Sequence, residues 1–100
     1  MNVYITDKDL KNLYVTGTSK KLKLRNVIID KFFATVQKIS AARDIYDLWR
    51  DPALKFEKYK DHYSVRLSGK YRLEMKVEWE DDYKIRGDFY LFRISSHYGD

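Results

Sequence analysis

The stretch YSVRLSGKYRLEMKVEWE, residues 63–80, sets the chain to a period of two. On its second limb Tyr71, Leu73, Met75, Val77 and Trp79 fall on one side, and Arg72, Glu74, Lys76, Glu78 and Glu80 on the other. That alternation belongs to a strand with one buried face. Ser68-Gly69 interrupts the pattern, and glycine supplies the backbone angles of a short hairpin turn. The stretch therefore predicts a hairpin in which Arg72 points away from the core, with Arg66 its neighbour across the strands. KFEKY (55–59) reads as a short strand before the hairpin and DFYLFRISS (88–96) as the last strand. Between them EDDYKIRGD (80–88) is a polar loop or an extension of the hairpin.

Upstream the period is helical. MNVYI reads as a short first strand, and DKDLKNLY as a turn or two of helix capped by Asp7 and broken at Gly17. Thr18 or Ser19 is then expected to cap a longer helix, whose buried stripe is Leu24, Val27, Ile28, Phe32, Val36 and Ile39. Its opposite face would carry Lys20, Lys21, Lys23, Arg25, Lys31 and Lys38, a solvated face first and an anion-binding one second. AARDIYDLWRD (41–51) reads as a second, short helix in which Ile45, Leu48 and Trp49 meet, ended by Pro52. Helices followed by antiparallel strands predict an α+β fold, with the N-terminal helices packed on one face of a small, mostly antiparallel twisted β-sheet.

One hundred residues is the size of a single domain, spanning 1–100, and a 44% hydrophobic content is enough to fold it despite the charges. The absence of cysteine excludes disulfides, thiolate zinc sites and a cysteine nucleophile, and fits a reducing cytoplasm. No secretory pattern or membrane-length apolar run is present, so the expected location is cytoplasmic, without a membrane partner. A net charge of +5 and a pI near 9.3 make a polyanion a plausible partner. Glu78, Glu80, Asp81 and Asp82 lack a histidine at ligand spacing, so they read as a solvated hairpin end. No metal or cofactor is expected.

Three segments in combination carry a family likeness: Phe56-Glu57-Lys58-Tyr59-Lys60, then Tyr63-Ser64-Val65-Arg66-Leu67-Ser68-Gly69-Lys70-Tyr71-Arg72-Leu73, and finally Arg93-Ile94-Ser95-Ser96-His97. An apolar-acidic segment, a basic hairpin and a last strand ending in histidine resemble the HigB-type toxins of the RelE superfamily. These are bacterial type II toxin-antitoxin toxins that act as ribosome-dependent mRNA endonucleases. The long basic helix and the AARDIYDLWRDPA segment with its proline fit as well.

The resemblance implies a RelE-like fold and metal-free cleavage of messenger RNA in the ribosomal A site by the neighbouring ribose 2′-hydroxyl. Arg72 would stabilise the transition state, His97 would act as acid or base, and Lys60 would bind phosphate or tune a neighbour. Arg66, Lys70, Lys58 and His62 would contact RNA, with an exposed turn position as the plainer reading of His62. The implied partner is a HigA-like antitoxin with a helix-turn-helix domain, through which alone operator DNA would be met. Two alternatives stay open: a non-catalytic relative that binds an antitoxin or another protein, and a basic RNA-binding domain that cuts nothing.

Overall fold

The change of period near Leu54 divides the helices from four of the five strands in the computed structural model, which describes residues 1–96. Before it lie β1 (Val3–Ile5), α1 (Lys8–Thr16), α2 (Asn26–Ala41) and α3 (Ile45–Trp49). After it come β2 (Glu57–Tyr59), β3 (His62–Ser68), β4 (Tyr71–Trp79) and β5 (Gly87–Ser95). The Asp7 carboxylate accepts from the Leu10 amide at 3.0 Å and starts α1. Gly17, at φ +77°, ends it with its N–H on the Leu13 carbonyl.

The long helix α2 starts later than the sequence predicts. Ser19 Oγ accepts from the Leu22 amide at 3.1 Å, closing a turn instead of capping a helix. Three lysines and an arginine then follow within 20–25, where a helix N-terminus would favour negative charge. Helical hydrogen bonding sets in only at Asn26. Lys20, Lys21 and Lys23 therefore lie on an irregular segment, not on a helix face, while Leu22 and Leu24 still pack against the core. The buried stripe is Ile28, Phe32, Thr35, Val36 and Ile39. Val27, one step off that stripe, is 47% exposed. In α3, Asp44 caps by accepting from the Tyr46 and Asp47 amides. Ile45 and Leu48 are buried, but Trp49 turns half outward, its ring edge-on to Phe56 at 4.6 Å.

The sheet runs β1-β5-β4-β3-β2, antiparallel except for the parallel β1–β5 pair. A register shift between Arg66 and Ser68 moves the hairpin turn one residue on from Ser68-Gly69. Ser68 pairs with Tyr71, and Gly69, at φ +51°, shares the turn with Lys70. Val65, Leu67, Leu73, Met75, Phe89 and Leu91 face the helices and join one apolar cluster with Leu10, Leu13 and the α2 stripe. The helix layer leaves the other sheet face open. Among the described residues, no helix is long and apolar enough to cross a membrane.

Candidate functional site on the open sheet face

Register places two rows of polar residues on the open face. Arg66, Arg72 and Ser95 form one, and Ser64, Glu74 and Arg93 the next. A second shift, after Glu74, skips Phe92 in the pairing. As a result Phe92 reaches His62 and Arg93 reaches Glu74, although the two are neighbours in the chain.

Sequence alternation puts Arg72 on a solvated face, but it is only 5% exposed. The chain before β2 covers it: Leu54 accepts from the Arg66 amide at 2.7 Å, wrapping residues 54–57 over the edge of β3. Lys55 there adopts φ +45°, an unfavourable angle for lysine, and its carbonyl accepts from Arg72 Nη2. Arg72 Nε donates to Ser64 Oγ at 2.8 Å, and Nη2 also reaches the Ser64 carbonyl at 3.3 Å. The guanidinium is thus fixed in a planar fork. Beside it, 3.7 Å from Nη2, lies the carboxylate of Glu57, whose side chain is 60% exposed.

Glu74 is the second focus. Only 2% exposed, it takes two hydrogen bonds from Arg93, Nε to Oε2 at 2.7 Å and Nη2 to Oε1 at 2.9 Å. Burial alone would raise its carboxyl pKa. The Arg93 hydrogen bonds and charge, with smaller help from His62 and Ser95, more than offset that and hold it below its ordinary range. His62 Nε2 lies 2.8 Å from Glu74 Oε1, yet it is not aligned as a hydrogen bond. We read that contact as Coulombic. Both groups are buried, and the Ser95 hydroxyl, like His62, turns to the Glu74 carboxylate, whose ionised form it favours. Tyr59, His62, Glu74, Arg93 and Ser95 together line a cleft of 490 Å³. A larger, more apolar groove of 670 Å³ lies further along the sheet between Lys76, Tyr90 and Phe92, away from Arg72.

The other expected site residues do not all share this face: Lys58 pairs with the core-facing Tyr63 and so takes the opposite side of β2 from Glu57. Arg66 is exposed and directly opposite Arg72. Lys58 is exposed on β2, and Lys70 in the hairpin turn sits over the Tyr71 ring at 5.9 Å. Lys60 occupies the β2–β3 turn at φ +53°, over the Tyr59 ring. The Tyr63–Met75 pair lies between that turn and Arg72, at least three strand steps or roughly 10 Å. His62 is buried against Tyr59 and Phe92, unlike an exposed turn residue. His97 lies outside the described residues. Arg93 and Ser95 are not among the expected site residues. Alternation hints at the face each takes, but nothing local pairs Arg93 with Glu74. No group of three metal-ligating side chains is close enough to hold an ion among the described residues.

The arrangement sits on a known architecture. A solved YoeB/ParE toxin from Agrobacterium tumefaciens superposes with a TM-score of 0.53 at 15% identity, over 98% of this chain and 100% of that one. The chain shares its fold with a YoeB/ParE toxin. No family model matches the sequence, and no curated protein does. At that identity the likeness is one of fold, and the α+β architecture read from the sequence agrees with it.

Proposed function

We propose that the protein is the toxin of a type II toxin-antitoxin pair, of the HigB kind, and that it cuts messenger RNA in the ribosomal A site without a metal. One observation carries this reading: a rigidly held arginine fork, covered by residues 54–57, has the exposed carboxylate of Glu57 3.7 Å away. Cleavage by a ribose 2′-hydroxyl needs a base for its proton, positive charge on the phosphorane and an acid for the departing 5′-oxygen. In this reading Glu57 takes the proton and Arg72 holds the phosphorane oxygens. Sequence likeness assigns the acid to His97. The 2′-oxygen–phosphorus bond forms as the bond to the 5′-oxygen breaks, leaving a 2′,3′-cyclic phosphate and a 5′-hydroxyl. Arg66 facing Arg72 is a like-charge pair that costs stability, a cost a bound phosphate relieves. Lys60 and Lys70, in the turns at the two ends of β3, and Lys58 at the sheet edge would meet phosphates further along the message. In resting cytoplasm a HigA-like antitoxin with a helix-turn-helix domain would hold the toxin and alone meet operator DNA.

Inducible expression with mapping of mRNA 5′ ends tests this. Wild type should arrest growth and create 5′-hydroxyl ends inside translated frames. Arg72→Ala should lose roughly two to three orders of magnitude of cutting, with Glu57→Gln and His97→Ala also impaired. Arrest without new ends, or cutting by Arg72→Ala at the wild-type rate, would remove the nuclease reading. The burial of Arg72 favours a second reading, a non-catalytic relative in which the guanidinium only braces the chain around Lys55. That protein would bind its antitoxin and leave RNA intact.

A further inference from the structure

We infer that Lys55 is a positioning residue that latches Arg72: its carbonyl, set on Arg72 Nη2, keeps the guanidinium from a phosphate until the Lys55 backbone leaves its left-handed conformation. The inference rests on the proposed nuclease reading and adds to it the control of that site. Arg72 is only 5% exposed, and the edge that would grip a phosphate is already occupied, Nε by Ser64 Oγ at 2.8 Å and Nη2 by the Lys55 carbonyl. A phosphate must therefore displace one of the two. Ser64 is buried within β3, whereas Lys55 is exposed and belongs to no strand or helix, so its carbonyl passes to water once released.

The closed arrangement is held against a backbone cost. In an extended chain successive carbonyls point to opposite sides, but those of Leu54 and Lys55 both meet the sheet, one at the Arg66 amide and the other at the Arg72 side chain. The φ of +45° at Lys55 allows this, in a region whose cost to a residue with a side chain is roughly tenfold in population. Motion is confined to that one residue. Leu54 and Phe56 on either side are buried, and the Phe56 ring is stacked on Tyr63 at 5.2 Å. The ligand itself opens the latch: phosphate oxygens are charged acceptors, about twice as strong as a neutral carbonyl, and the exposed Arg66 opposite Arg72 adds its attraction.

The experiment compares Lys55→Gly with Lys55→Ala in the full chain. Both lack the lysine charge, and only glycine adopts the left-handed angle without steric cost. Lys55→Gly should unfold at higher urea than Lys55→Ala and yet bind inorganic phosphate roughly tenfold more weakly, read from the Arg72 Nε–H signal by NMR. A purely structural Lys55 would move stability alone. Equal phosphate affinity in the two variants, tighter binding by Lys55→Gly, or an Arg72 signal that phosphate never moves would overturn the inference. Mapping of mRNA 5′ ends separates it from the nuclease reading. Opposed changes of stability and phosphate binding in a protein that leaves messages intact keep the latch and remove the nuclease. Cutting by both variants at one rate, with equal phosphate affinity, does the reverse.

Discussion

Arg72 braces the chain around Lys55 and, on the proposed function, also holds the scissile phosphate. Lysine keeps the charge but cannot span Ser64 Oγ and the Lys55 carbonyl as the guanidinium does. Arg72→Lys should therefore lose about 1–3 kcal/mol of stability together with most RNA cutting, read by urea unfolding and 5′-end mapping. Unchanged stability would mean that the 54–57 segment is held some other way. Glu74 makes a pH prediction. Arg93 outweighs burial and sets the folded carboxyl below its ordinary value of 4.5, so the carboxylate stabilises the fold above that pH. The contribution fades as pH falls through the lower, folded value. The gap in urea midpoint between wild type and Glu74→Gln should be constant above about pH 5 and close on acidification. A gap that widened in acid would contradict the assignment. Neither role is legible from spacing: alternation turns Arg72 and Glu74 away from the core without telling that both are covered.

Among the elements, two glycines test different physics. Gly17 ends α1 at φ +77° with open space around a Cβ. Gly17→Ala should then cost only backbone strain, about 1–2 kcal/mol. Gly87 opens β5, where a Cβ would stand 2.6 Å from the Glu78 carbonyl oxygen and 3.0 Å from Val77 Cγ1. Gly87→Ala should cost about 3 kcal/mol and speed amide exchange at the Glu78–Asp88 end of the β4–β5 ladder. If Gly17→Ala proved the more damaging, the loop at residues 80–86 would be yielding to the clash. The strands were legible because alternation with one buried face is a local property. The start of α2 was not, because Ser19 offers a cap that the cationic run after it cannot use.

For the whole molecule, charge is unevenly distributed. Residues 20–25 hold four cations and no anion, and residues 55–76 seven cations against three anions, whereas 77–96 carry five acids against three bases. Such separation gives the domain a directional field. Replacing Lys20, Lys21 and Lys23 by glutamine should change stability by less than about 0.5 kcal/mol. If the proposed function holds, RNA binding should weaken for all sequences alike, and the slope of log affinity against log salt should fall by about one for each phosphate those lysines neutralise. An unchanged slope would place the RNA path elsewhere. What the sequence by itself determined is the α+β architecture, the hairpin, and the face on which Arg66 and Arg72 lie, because period and burial of one face are written in neighbouring residues. Only the tertiary structure decided that Arg72 is braced from Lys55, that Glu74 is paired with Arg93, and that His62 and Ser95 border one cleft. Those arrangements depend on strand register and on a shift at Phe92, which are settled between segments far apart in the chain.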